Sequence, residues 1–415
     1  MRVVVDARLR SGQSGGVESI VTGLVGALST LTDSDDEYLI LAHEGEEDWL
    51  DGHVRGPSRL LLIPSRVRFA SARRRGAGAA PLVARAWRGV RGWKSVRQGP
   101  PRSDGTIERV GADVMHFTFQ VGFITDVPSI YHPHDLQHLH LPQFFSREDR
   151  AWRERWYREM CAQAALVAVA SSWTKRDVEL SYGIEPAKIE VVPLAPPTLA
   201  YPVISAAAIE ATHARLATPP AYVLYPAQTW PHKNHVNLLR ALALLRRRHG
   251  LVVPLVACGQ QNEGFPELAR EQGSLGLGDQ VVWPGFVSPA DLQALYARAT
   301  AVVIPSKFEA ASAPLWEAFA AGVPAACSDV TSLPEQAGDA ALLFDPDDVE
   351  QIAESIRRIW TEADLRAILI SRGAVRVKEF TWSRTAHLFR AHYRRVARVP
   401  LTGADRELIA SKVAI

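Results

Sequence analysis

Residues 300–329, TAVVIPSKFEAASAPLWEAFAAGVPAACSD, decide how this chain folds. Residues 301–304 are a short apolar run with β-branched side chains, which predicts a buried strand. Residues 314–321 are good helix formers behind a proline, which suits the first helical position because its missing N–H is not needed there. Gly322 and Pro324 stop the helix, and residues 325–328 begin a second buried strand. Strand, helix and strand in that order imply a βαβ unit within a parallel sheet.

Two carboxylates lie in this unit, Glu309 in the loop and Glu317 on the helix, with seven residues between them. Both are expected near the C-terminal edge of the sheet, where open α/β sheets bind ligands. The N–H groups of the helix start, around Ser312, Ala313 and Leu315, attract phosphate. A phosphate flanked by two carboxylates that accept bonds from hydroxyls outlines a nucleotide-sugar site. A solvated surface pair is the competing reading.

At 415 residues the chain exceeds the size at which one core keeps growing, so two domains are expected. Hydrophobic content of 47 % and charged content of 22 % describe a globular chain, and a net charge of +2 selects no partner class. Cys161, Cys258 and Cys327 are widely separated within apolar segments, so they form neither a disulfide framework nor a zinc pattern. They read as core residues of a cytoplasmic protein. Met1 runs directly into a strand, and no run approaches the ~18 apolar residues of a spanning helix, so any membrane contact is expected to be peripheral, at the inner face.

The first half opens with a strand at residues 3–5, a glycine-rich loop and an amphipathic helix carrying Ile20, Leu24 and Leu28 on one face. Gly15 and Gly16 would let a ligand approach the backbone closely, yet the loop is not G-x-G-x-x-G and no acidic ribose partner ends the next strand. Strands at 60–63, 114–117 and 129–132 follow. Residues 131–146, YHPHDLQHLHLPQFFS, hold four histidines, His132, His134, His138 and His140, but the prolines make the segment irregular and no metal is expected.

Between the strands at 60–63 and 114–117, residues 66–102 carry eleven Arg or Lys and no Asp or Glu, with Phe69, Trp87 and Trp93 interleaved. Such a basic amphipath reads either as a docking segment for an anionic membrane surface or as a solvated loop. Nucleic acid is not expected, since no reader motif accompanies the charge.

The second half restarts the βα alternation at residues 222–225. Lys233 precedes the next helix at a strand's C-terminal edge, where an ammonium can neutralise a diphosphate.

The E-x7-E spacing with its internal proline, the AGVP at 321–324 and SLPEQAGDAALLFDPDD at 332–348 resemble the retaining GT-B glycosyltransferases of the family 4 type, the glycosyl transferases group 1. The resemblance covers nearly the whole chain. It implies an α/β fold of two Rossmann-like, doubly wound domains facing a cleft, with a C-terminal helix crossing back. The expected bounds are 1–200 for the acceptor domain with the basic insert, 201–380 for the donor domain and 381–415 for the returning helix.

The implied activity is retaining transfer of a hexosyl group from a GDP-mannose-like or UDP-sugar donor to a glycan, lipid-linked or small-molecule acceptor, without cofactor or catalytic metal. By resemblance, Lys233 meets the diphosphate together with the helix start at Ser312 and Ala313. Glu309 holds sugar hydroxyls, Glu317 holds the ribose, and the backbone near Phe286 and Val287 meets the base. GGVE at 15–18 matches the loop that places Gly15 and Gly16 by the donor, and His134 with Asp135 matches an HD pair facing the sugar. The longer histidine string resembles members that transfer mannose-like sugars. Two departures stand out: Gln228 where many relatives have Arg, and Glu309-Ala310-Ala311-Ser312 where many have E-G-F-G. They bear on donor preference, and the altered loop suggests a non-catalytic nucleotide-sugar-binding protein as one alternative; a GT-B-fold nucleotide-sugar epimerase, which needs no acceptor, is the other.

Overall fold

The computed structural model describes residues 1–10, 16–64 and 99–411. Gly15 and nearly all of the basic insert lie outside the described residues. The chain forms two compact units: the first comprises Met1–Val169, Lys175–Val192 and the residues from Ala386 on, the second Ala170–Thr174 and Pro193–Thr385.

The first unit holds seven parallel strands in the order β3-β2-β1-β4-β5-β6-β7. These are β1 (Arg2–Asp6), β2 (Glu37–His43), β3 (Ser58–Ile63), β4 (Val114–Phe117), β5 (Ser129–Tyr131), β6 (Leu166–Val169) and β7 (Ile189–Val191). The second unit holds six, ordered β10-β9-β8-β11-β12-β13. They are β8 (Val223–Pro226), β9 (Leu255–Cys258), β10 (Val281–Gly285), β11 (Ala301–Ile304), β12 (Ala325–Ser328) and β13 (Ala341–Phe344). The strand order reverses between β1 and β4 and again between β8 and β11, which makes each sheet doubly wound.

Strands β4, β6, β9, β11 and β12 are buried at every residue. Continuous burial, rather than alternation, is what a parallel strand covered on both faces requires. All three cysteines are buried and free, so they act as small apolar side chains. Among the described residues, no helix is long and apolar enough to cross a membrane.

The second unit packs its helices against β8–β13 through Leu238, Leu242, Leu315, Phe319, Ile352 and Ile356. Residues 363–380 do not form a single helix: Ala363–Arg376 is α-helical, and Val377–Glu379 tightens into a 3₁₀ turn. The turn delivers Phe380 onto Trp316, with ring centroids 4.0 Å apart, so packing on the Ala313–Ala320 helix overrides local periodicity. The same helix is met by Gly373, where an added Cβ would stand 2.8 Å from Phe319 Cδ1.

Candidate active site

In the second unit the switch point lies between β8 and β11, and the loops leaving these two strands are tied together. Asn234 adopts φ +59, a left-handed conformation that asparagine tolerates. From there its Nδ2 donates to Pro305 O at 2.9 Å and Pro346 O at 2.7 Å. Tyr225 Oη donates to Lys233 O and lies 3.1 Å from Ser306 Oγ, while Lys307 N–H donates to His232 O. Gly259 lets the end of β9 approach this loop: at φ +144, an added Cβ would stand 2.4 Å from Ala227 O.

On this scaffold Lys233 Nζ meets Glu309 Oε1 at 2.6 Å, with side chains 20 % and 9 % exposed. The two residues that the resemblance assigns to phosphate and sugar thus form one ion pair, sheltered enough for its strength to exceed that of a surface pair.

Glu317 is the fifth residue of the Ala313–Ala320 helix and is 5 % exposed. Burial pushes its carboxyl up to about 7, against hydrogen bonds from Tyr296 Oη and the Thr198 backbone that favour the charged form. The Tyr296 bond is 2.9 Å to Oε2. A desolvated carboxylate beside a helix start accepts the paired hydroxyls of a diol well, because those donors replace lost water.

The helix start differs from the expectation of free N–H groups at Ser312 to Leu315. Ser312 N–H is taken by Gln336 Oε1 at 2.7 Å, and Pro314 has no N–H to offer. Ser312 stands at the N-cap without a side-chain cap bond, and Ala313 is the first helical residue. Gln228, at the position where relatives carry Arg, spends its carbonyl on Trp230 Nε1 at 2.8 Å. Val287 is half-buried after β10 and packs against the unit's core, next to Phe286, which is exposed.

The other expected residues belong to the first unit. Gly16 opens the Gly16–Leu28 helix, and a Cβ there would meet nothing within 4 Å. His134 follows β5 at φ +60, and its Nε2 lies 2.9 Å from Thr118 O. A carbonyl can only accept, so Nε2 carries the proton and Nδ1 is the acceptor. Burial holds this imidazole below the ordinary histidine value. Its ring packs 5.6 Å from His132, which packs 5.0 Å from His116. His116 Nδ1 is 2.7 Å from Tyr393 Oη, and burial pushes His116 down to about 3, so it stays neutral.

Neither Asn234 nor Tyr296 was legible in the sequence as part of the site. Asn234 stands beside Lys233 in a loop whose left-handed turn leaves no mark in the sequence, and Tyr296 lies on another helix, 21 positions from Glu317. Among the described residues no group of three or more His, Cys, Asp or Glu could hold a metal ion.

Two family models match this chain: Glycosyltransferase Family 4 over residues 14–195 and Glycosyl transferases group 1 over residues 209–376. The chain belongs to the family 4, group 1 glycosyltransferases. This glycosyltransferase is 28 % identical over 263 residues to the O-antigen chain mannosyltransferase B of Escherichia coli, covering 60 % of this chain and 65 % of that one. It is 31 % identical over 186 residues to the serotype-specific mannosyltransferase WbdA of the same organism, covering 44 % of this chain and 23 % of that one. It therefore spans less than two thirds of either relative's length. Among solved structures, Anabaena Alr3699/HepE in complex with UDP and glucose shares the fold, with a TM-score of 0.67 at 18 % identity, over 95 % of this chain and 100 % of that one.

Proposed function

We propose that the glycosyltransferase moves a hexosyl group, mannosyl in our reading, from a nucleoside diphosphate sugar to a polysaccharide or lipid-linked acceptor, with retention and without a metal. The observation that carries this is the Lys233–Glu309 pair at the switch point, whose Glu309 lies on the same βα unit as buried Glu317. The mannosyl assignment is supported by the names of the relatives, and a nucleotide donor by the UDP in the Alr3699/HepE structure.

In the reaction the bond from the sugar's anomeric carbon to the β-phosphate oxygen breaks and a bond to the acceptor hydroxyl forms. The hydroxyl proton leaves with the nucleoside diphosphate. Charge grows on the departing phosphate, and Lys233, released from Glu309, stabilises it together with the Ala313 end of the helix. Freed in the same exchange, Glu309 turns to the sugar hydroxyls. Glu317 accepts from the ribose diol, and the Val287 backbone meets the base. Gln228 brings no charge, so Lys233 carries more of the diphosphate's neutralisation than in relatives with Arg there.

The test is incubation of the purified chain with GDP-mannose, UDP-glucose and ADP-glucose in turn, following release of nucleoside diphosphate and of any altered sugar by mass spectrometry. Release of GDP from GDP-mannose supports the proposal. An epimerised donor with no release points to an epimerase, and binding without any turnover points to a silent binding protein.

A further inference from the structure

The loop from Glu309 to Ser312 has its middle held by Ser171 Oγ and Thr174 Oγ1, which donate to Ala310 O at 2.8 and 3.3 Å, and both its ends held by residues 331–336. Glu309 N–H donates to Thr331 Oγ1 at 3.0 Å. Its carbonyl accepts from Thr331 Oγ1 at 2.6 Å, Ser332 Oγ at 2.8 Å and Ser332 N–H at 3.3 Å. At the loop's far end Ser312 N–H donates to Gln336 Oε1. Ser332 and Ser312 are fully buried and Gln336 is 1 % exposed.

Two further observations separate this arrangement from ordinary loop packing. Thr331 lies at φ +53, a left-handed conformation that strains a β-branched residue and persists only where its surroundings impose it. Gln336 Nε2 and Ser312 Oγ are buried yet without a hydrogen-bond partner among the described residues. A buried polar group left unpaired beside a loop calls for an account. The loop sequence Glu309-Ala310-Ala311-Ser312 has no glycine to set its own bend, so its path must come from outside.

We infer that Thr331 and Gln336 are positioning residues that fix where Glu309 presents its carboxylate, and through it where the donor sugar lies. The inference rests on the donor-site reading above. The donor-site reading gives neither residue to the nucleotide, so their removal acts on turnover and leaves nucleotide affinity alone.

The experiment uses the full chain with Gln336→Met, Thr331→Gly and, as reference, Glu317→Ala. GDP and UDP affinity is measured by calorimetry and turnover by release of nucleoside diphosphate from GDP-mannose and UDP-glucose. Turnover in the first two variants should fall by about tenfold to a hundredfold, the cost of a misplaced reacting group, with nucleotide affinity unchanged. Unchanged turnover, or a parallel loss of nucleotide affinity, overturns the inference. Should Gln336→Met lose its cooperative melt, Thr331→Gly decides, because glycine relieves the left-handed backbone. If Glu317→Ala leaves nucleotide affinity intact, the donor-site reading itself fails, whatever the other two variants do.

Discussion

At the scale of single residues, Glu317 links binding to pH. Its carboxyl sits near 7 instead of the ordinary 4.5 because it is buried. Below about pH 4.5 it is protonated in both the folded and the unfolded chain; between 4.5 and about 7 the unfolded chain gives up the proton while the folded chain keeps it, so stability falls across that window and levels off above it. Glu317→Gln removes that loss, so its melting temperature should exceed the wild type's by several degrees near pH 8 and match it near pH 4, while donor affinity falls by about tenfold or more for want of a charged acceptor. Equal melting temperatures at both pH values would count against a desolvated carboxylate.

The ion pair makes a different prediction. Lys233→Ala strands Glu309 in a sheltered place without its counter-charge, which should cost about 3 kcal/mol of stability and lower turnover by about 10²–10³. Adding Glu309→Gln should restore the melting temperature and leave turnover low. Recovery of both would mean the pair serves folding alone.

At the scale of elements, strands and caps follow their local rules. Ser288 accepts from Asp291 N–H and caps the Pro289–Arg298 helix as its S-P-A-D sequence implies, so Ser288→Ala should cost about 1 kcal/mol with turnover unchanged. Ser146 caps Arg147–Gln163 in the same way. Gly259 is different, since its φ of +144 and the contact with Ala227 O leave no room for a side chain. Gly259→Ala should both destabilise the chain and lower turnover, by moving the loop that carries Lys233; a loss of stability with full turnover would separate the two.

The βαβ core around residues 300–329 was legible because apolar runs, proline and glycine punctuate it. The helix Ala206–Leu216 was not, because prolines and small residues around it read as a linker; Ser205 caps it, and Thr212 Oγ1 bonds Asp291 Oδ1. Strand β13 was missed for a similar reason: four residues between a helix and an aspartate-rich turn carry too little pattern to stand apart. The E-x7-E spacing could be read as a site, but the Thr331–Gln336 clamp could not, since it is made by hydroxyls and an amide whose roles exist only once the fold brings them to the loop.

At the scale of the whole molecule, composition bounded the class and resemblance gave the architecture, while the segment at 66–102 lies almost wholly outside the described residues. We propose that it docks on anionic membrane. Flotation of the full chain with phosphatidylglycerol vesicles should recover the protein in the lipid fraction at low salt and release it at high salt, as screened charge demands; protein that stays with the soluble fraction at low salt would refute docking.

The Trp382–Val396 helix begins in the second unit and ends in the first. Within the first unit, Arg394 bonds both Asp36 and Asp405 in a buried triad, and Tyr393 reaches His116. During synthesis the amino-terminal half leaves the ribosome without its closing piece, whereas the carboxy-terminal half emerges nearly complete. The earlier-made half should thus be the later to mature, waiting on the codons from Ala386 onward. A gene split between the halves would yield one self-sufficient product and one dependent on a peptide supplied in trans.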